Sequence, residues 1–213
     1  MPLHLPIPDR DKINLALPLF TLDVNQIALK PPAARPREME GLACLEYQYF
    51  DMHAVELCVT PEVAREIAQG VSVNSLGQTA YHRIRKTELF KARPASTTLD
   101  LTDEESNQLW TDVGAHLWPG VPCAALTAQQ QGDVGQLFFH LVCNSGAANA
   151  AFVTMDGNFL RRAPDLRSRY GIEVTDPNAA WEESRRRYSL VTPTAAELDS
   201  LWRRQDELLR KLR

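Results

Sequence analysis

Four acidic residues occupy positions from which an α/β fold could bring carboxylates into one cleft. They are Asp23, Glu66, Asp133 and Asp156. Carboxylates that crowd a cleft repel one another and raise one another's pKa unless a cation lies between them. Mg²⁺ or Mn²⁺ suits such a place, because hard cations prefer oxygen ligands. A bound ion can generate hydroxide from water and hold a phosphoryl group, so the reaction that suits this set best is hydrolysis of a phosphodiester.

Two of these acids directly follow predicted strands. The segment PLFTL predicts a strand that ends at Asp23, and the apolar, β-branched run before Asp156 predicts another. In an open parallel sheet, ligands bind at the carboxyl ends of the strands. Both acids are therefore candidate site residues. The alternative for Asp156 is that it only forms a turn with Gly157, as Asp-Gly pairs often do.

The other two acids are predicted to lie on helices. HAVELCVT predicts a second strand, which leads into a helix with Thr60 as its N-cap and Gly70 at its far end. Glu66 would lie in the first turns of that helix, and its alternative role is that of a solvated helix residue. Asp133 would open a strongly apolar helix, where an acid is also favoured by the helix dipole alone. It joins the other acids only if that helix begins near the same edge of the sheet.

The remaining segments predict further helices and strands in alternation. Residues 39 to 49 and 177 to 187 favour helices, Thr102 begins a capping box in front of another helix, and GIEVTDP favours a short strand. Residues 71 to 100 are weakly periodic and are predicted to be a loop with no more than one helical turn. The alternation predicts an α/β fold with a largely parallel sheet flanked by helices.

The C-terminal segment is predicted to be an appended amphipathic helix over residues 194 to 213, after a single domain over residues 1 to 190. A capping box begins at Thr194, and leucines lie with Trp202 near one stripe. This stripe could pack on the parent domain or pair two chains as a homodimer.

Composition favours an ordinary globular protein. Of 213 residues, 44% are hydrophobic and 23% are charged, so the chain can bury a core. The sequence has no apolar run long enough to span a membrane, and its first residues do not resemble a secretory signal. We therefore expect a soluble, cytoplasmic protein with no membrane partner. Its four cysteines lie far apart and are predicted to be reduced thiols.

Positive charge is concentrated in the last part of the chain. From Gly157 onward the sequence has 12 Lys and Arg against 9 Asp and Glu, which leaves 11 against 18 for the preceding residues. Arg161 and Arg162, just beyond Asp156, could contact a nucleic-acid backbone. The alternative is a solvated helix face. His140, on an apolar helix without a metal-binding spacing, is predicted to be a packed core residue.

Several segments together resemble a PIN domain. They are FTLDVN at 20 to 25, VTPEVAREI at 59 to 67, GDVGQLFFHLV at 132 to 142, AFVTMDGNFLRR at 151 to 162 and YGIEVTDPNAAW at 170 to 181. The most specific of them is the strand that ends in Thr-x-Asp and is followed by Phe-Leu. The resemblance covers about residues 17 to 183.

This resemblance implies a metal-dependent nuclease that acts on single-stranded RNA. Asp23, Asp133 and Asp156 would then bind Mg²⁺ or Mn²⁺, and Glu66 would complete the acidic site or orient water. A polar residue after the first acid and a Thr two before the last one, here Asn25 and Thr154, would support them.

Two alternatives remain open from the sequence. The first is a PIN-type toxin of a toxin-antitoxin module, which has the same chemistry and an antitoxin protein as its partner. The second is a non-catalytic module that binds RNA through its arginines. Binding of Mn²⁺ separates the nuclease from the module, because the module does not need a metal.

Overall fold

The computed structural model describes residues 13–71, 77–92, 100–144 and 149–211. A five-stranded, all-parallel sheet lies at its centre, in the order β3-β2-β1-β4-β5. The strands are β1 (Leu19–Leu22), β2 (Glu56–Val59), β3 (Lys91–Ala92), β4 (Ala150–Val153) and β5 (Glu173–Thr175). The predicted α/β fold with a parallel sheet is confirmed.

Helices connect the strands and cover both faces of the sheet. The α-helices are α1 (Glu40–Phe50), α2 (Pro61–Val71), α3 (Gly77–Thr87), α4 (Asp103–Leu117), α5 (Ala128–Asn144), α6 (Gly157–Tyr170), α7 (Pro177–Tyr188) and α8 (Ala195–Lys211). Short 3₁₀ turns lie at Val24–Gln26, Pro32–Ala34, Arg37–Met39 and Cys123–Ala125. Every strand pair is parallel, so each connection must cross over, and helices supply the crossovers.

The sheet separates two hydrophobic clusters because successive side chains of a strand point to opposite faces. In β4, Ala151 and Val153 pack with residues of α1, α2, α7 and α8, whereas Phe152 packs with residues of α4, α5 and α6. Phe152 is fully buried and its ring lies 5.1 Å from that of Phe159. Both faces are apolar, as expected for a parallel sheet with helices on each side.

The last helix packs onto the domain. Leu201 and Leu209 of α8 are buried in the same cluster as the strands, and α8 contacts α1 and α3. The C-terminal capping box is present: the backbone N–H of Glu197 donates to Thr194, and the Glu197 carboxylate accepts from the Thr194 N–H at 2.7 Å. Leu201 and Leu209 thus pack on the parent domain, which is the first of the two roles predicted for this stripe.

The structure corrects the sequence-based description in two regions. Residues 71 to 100 were predicted to be mostly loop, but they contain the whole of α3 and the edge strand β3. The part of this loop prediction that falls on residues 72–76 and 93–99 lies outside the described residues. Asp133 was predicted to open its helix, but α5 already begins at Ala128, so Asp133 lies inside the helix.

Helix α2 also differs in detail from the prediction. It continues past Gly70 to Val71. Thr60 precedes the helix, but its buried hydroxyl has no hydrogen-bond partner among the described residues. Thr60 therefore does not cap the helix with its side chain. Pro61 at the first helical position needs no N–H partner, and this favours a helix start there.

Candidate functional site

Asp23 lies immediately beyond β1 and is held by three donors. Its Oδ1 accepts from the Val24 N–H at 2.6 Å, and its Oδ2 accepts from Asn25 Nδ2 at 2.7 Å and from the Thr154 hydroxyl. The residue is only 3% exposed. Burial raises the pKa of Asp23 and the charge of Asp156 adds to this effect, whereas hydrogen bonds from Thr154 and Val24 and the nearby Gln136 amide oppose it. These donors fix the carboxylate at the end of the strand.

Thr154 links the ends of the two central strands. Its buried hydroxyl donates to Asp23, and its Oγ1 accepts from the Asp156 N–H at 2.9 Å. Asn25 lies beside it, and the Asn25 Oδ1 accepts from the Met155 N–H at 3.3 Å. The parallel register places Leu22 opposite Val153, so the residues that follow these two strands meet at one edge of the sheet. Both predicted supporting residues lie in contact with predicted site acids.

Asp156 caps α6. Its Oδ1 accepts from the Asn158 N–H at 2.6 Å, as an N-cap carboxylate does. It also lies close enough to Asp23 and Asp133 to raise the pKa of both. Asp156 is therefore more than a turn former with Gly157, because it contributes negative charge to the same edge of the sheet.

Glu66 reaches this edge from α2. Its Oε1 accepts from Gln136 Nε2 at 2.8 Å, and Gln136 also lies close enough to Asp23 to lower the pKa of that acid. Burial raises the pKa of Glu66, and the charges of Asp23 and Glu62 raise it further, whereas Gln136 and Arg65 oppose the rise. The fully buried Gln136 thus connects two acids that are distant in sequence.

Gly132 and Gln136 of α5 also shape the site, although the sequence did not predict them as site residues. A Cβ on Gly132 would lie 3.0 Å from Glu66 Cδ and closer still to its Oε1, so the carboxylate of Glu66 rests on the bare backbone. Gln136 follows Asp133 by three residues and therefore lies on the same helix face. The sequence signal for both was the pattern GDVGQ around a candidate acid, a glycine before it and an amide one turn after it.

Asp133 has a strongly perturbed carboxyl group. It is 7% exposed, and burial raises its pKa from 3.8 to about 8, with further contributions from Asp156, Glu66 and Asp23. All three other predicted acids therefore lie near it. Asp133 thus lies near the other acids although its helix does not begin at this residue but five residues earlier, at Ala128.

The donor set has the chemistry that a hard divalent cation requires. Carboxylate oxygens from β1, α2, α5 and the start of α6 gather where burial and mutual repulsion penalise their negative charge. As placed, however, the described residues contain no group of three His, Cys, Asp or Glu side chains ready to hold a metal. The acids are neighbours, and their oxygens do not converge on one point.

The two predicted nucleic-acid contacts lie on α6. Arg161 is exposed and Arg162 half-buried, within the first two turns after Asp156. Arg161 Nη2 lies 3.5 Å from Asn158 Oδ1 and its Nη1 lies close to Gly157. The guanidinium of Arg161 is therefore near the same helix start as Asp156.

His140 is a core residue, as predicted. It is 3% exposed, its Nδ1 lies 2.9 Å from the Thr21 hydroxyl, and its ring packs edge-on against Phe152. The cysteines are free thiols, and Cys58 and Cys143 are buried.

In comparisons with known proteins, no family model matches the chain, and neither a curated protein nor a solved structure is significantly similar to it. Among the described residues, no helix is both long enough and apolar enough to cross a lipid bilayer.

Proposed function

We propose that the protein is a metal-dependent nuclease of the PIN type, which hydrolyses phosphodiester bonds of single-stranded RNA. The observation that carries this proposal is the state of Asp133, whose pKa is raised to about 8 by burial and by three carboxylates from separate elements. Strongly perturbed acids that cluster at a sheet edge are typical of functional sites, because such repulsion destabilises a fold unless it serves a ligand.

In this proposal Asp23, Asp133 and Asp156 hold Mg²⁺ or Mn²⁺, and Glu66 completes the acidic site or orients water. When bound, the cation would supply the positive charge that activates a water nucleophile and stabilises the phosphate that it attacks. The chain's own contribution is to hold the carboxylates in place. Thr154 and Asn25 fix the Asp23 oxygens, and these contacts would limit how far that ligand can turn.

Gln136 would position Glu66, the one acid of the four that is not a predicted metal ligand. Its amide N–H group bonds Glu66 Oε1 and so sets the orientation of that carboxylate. Its Oε1 is buried and has no hydrogen-bond partner within the described ranges. A polar oxygen of this kind beside the acids can accept a hydrogen bond from water or substrate.

The side chains that follow Asp156 favour a nucleic-acid substrate. Arg161 and Arg162 extend from α6 in the two turns after Asp156. A guanidinium can contact two phosphate oxygens at once, so these residues suit a backbone phosphate next to the scissile one. Their contacts would not depend on base identity.

The test is cleavage of labelled single-stranded RNA with Mn²⁺, with an EDTA control. We expect Asp23→Asn and Asp156→Asn to abolish cleavage, and Asp165→Asn, which changes an exposed acid of α6, to leave it unchanged. Cleavage that survives EDTA, or that both site variants retain, would refute the proposal. Single-stranded DNA of the same sequence, run beside the RNA, tests the choice of substrate.

A second function is favoured by one observation. The described part of the chain contains no group of acids already arranged to hold a metal, and this would suit a module that binds RNA without cutting it. Calorimetric titration with Mn²⁺ separates the two functions. Saturable binding that Asp133→Asn weakens supports the nuclease, whereas RNA binding without Mn²⁺ binding supports the module.

A further inference from the structure

A cavity whose lining includes none of the four acids lies beside the last helix. It has a volume of about 310 Å³ and lies between α8, α3 and the segment that follows the 3₁₀ turn after β1. Its wall includes Ala28, His82, Lys86, Trp202, Gln205 and Leu209. The volume is at the lower end of the range for small-molecule sites. A compact ligand would fill it.

Two polar atoms of this wall are buried without a partner. Gln205 is 2% exposed, and its Nε2 has no hydrogen-bond partner among the residues that the structure describes. His82 is half-buried, and its Nε2 likewise has no partner within the described part of the chain. A buried amide N–H without an acceptor costs free energy, so native proteins rarely leave one unpaired. An acceptor on a ligand would remove that cost.

The cavity also borders a buried cluster of charges. Lys86 Nζ donates to Glu46 Oε1 at 3.0 Å and to the Ala28 carbonyl, and Arg35 donates to Glu46 Oε2 at 2.8 Å. Two cations thus share one carboxylate, and Arg35 Nη1 is buried with no partner among the described residues. This buried ion cluster of Arg35, Glu46 and Lys86 has an excess of positive charge, because one carboxylate cannot neutralise two cations.

The remaining residues of the cavity wall are apolar or form an ion pair with each other. Trp202 and Leu209 offer an aromatic and an aliphatic surface on α8. Asp206 and Arg210 also border the cavity, and they pair with each other at 2.7 Å, so their charges compensate. The donor Gln205 and the apolar side chains of Trp202 and Leu209 thus come from α8, and Lys86 comes from α3.

We propose that this cavity binds a small aromatic carboxylate, with the carboxylate next to Gln205 and Lys86 and the ring against Trp202 and Leu209. The anion would accept from the Gln205 amide and offset the excess positive charge of the buried ion cluster. This site is independent of the proposed nuclease activity, because it uses none of the four acids.

The first test is calorimetric titration of the full chain with benzoate, without metal or RNA. We expect saturable binding with a Kd on the order of 1 mM or tighter. Benzamide has the same shape without the charge, and we expect it to bind at least about ten-fold more weakly. Absence of saturable benzoate binding, or equal binding of benzamide, would overturn the proposal. Phenyl phosphate distinguishes the anion: weaker binding supports a carboxylate site, and tighter binding refutes it.

Substitutions of cavity residues test whether benzoate binds in this cavity. Gln205→Leu removes the unpaired donor and should weaken benzoate binding by about ten-fold, whereas Gln108→Leu makes the same change at an exposed position of α4 and should have no effect. Asp206→Asn removes a negative charge from the wall and should tighten binding, a gain that misfolding cannot imitate. Unchanged binding in both Gln205→Leu and Asp206→Asn would place benzoate elsewhere and overturn the assignment.

Discussion

Replacing Asp133 by asparagine should make the protein more stable at alkaline pH. Burial and three neighbouring carboxylates raise the pKa of Asp133 from 3.8 to about 8. The folded chain therefore keeps a proton that the unfolded chain has already released. Between about pH 4 and pH 8 the contribution of this group to the free energy of unfolding falls as the pH rises. Asparagine has nearly the same shape and never ionises, so in the variant this residue does not lower the free energy of unfolding as the pH rises.

The size of the effect follows from the shift in pKa. Each unit corresponds to about 1.4 kcal/mol, so a shift from 3.8 to about 8 sets an upper limit of about 6 kcal/mol. Water and small movements of the four side chains relax part of this penalty, because the effective dielectric constant of such sites is high. We expect about 2 kcal/mol at pH 8, which is about 4–8 °C in Tm for a chain of this size.

The assay is thermal unfolding of the wild type and of Asp133→Asn at pH 5 and at pH 8, without divalent metal. The variant should gain stability at pH 8 and differ little at pH 5. Asp165→Asn, an exposed acid of α6, is the control and should show no such pH dependence. A variant that is less stable at pH 8, or equally stabilised at both pH values, would show that Asp133 is not a strained carboxylate.

Two further substitutions test the packing of the site and of the core. In the proposed nuclease, Gly132→Ala should reduce RNA cleavage by at least about ten-fold, because the new Cβ would displace the Glu66 carboxylate, and a small misplacement of such a group is costly. Gly135→Ala meets Glu62 instead and is the matched control, so equal losses in both variants would refute the role of Glu66. Glu46→Gln should lower the free energy of unfolding in urea by about 3–5 kcal/mol, because it leaves two buried cations without their carboxylate. Glu88→Gln, in a partly exposed pair that water screens, should cost far less than Glu46→Gln, and a similar loss in both variants would contradict this explanation.

Local signals in the sequence were sufficient to predict the strands at the centre of the sheet. β1 and β4 are short apolar runs followed directly or within three residues by an acid, and the positions of Asp23 and Asp156 follow once those strands are parallel neighbours. The helix that follows Thr102 was equally predictable, because its capping box is formed within four residues. These features depend on residues close together in the chain.

Features that depend on distant partners were not predictable. Helix α3 has few apolar residues, and its buried Lys86 is tolerable only because Glu46, 40 residues earlier, accepts from it. Periodicity therefore gave no sign of a packed helix. The start of α5 was misplaced because the segment AQQQG before Asp133 is polar, yet it forms the first turn of the helix. The contact of Gly132 with Glu66 likewise depends on how α2 and α5 pack together.

Glu46 and Asp133 show why burial alone does not identify a functional acid. Both are nearly inaccessible, at 1% and 7% exposure, and burial alone would raise the pKa of either carboxyl group. Arg35 and Lys86 outweigh burial at Glu46 and hold its pKa below the usual range. At Asp133 the neighbouring charges are carboxylates, and they add to the effect of burial. The fold thus supplies cations to one buried acid and further acids to the other. In the proposed function, a cation from solution would act on Asp133 as Arg35 and Lys86 act on Glu46, because a nearby positive charge lowers the pKa of a buried carboxyl group and favours its ionised form.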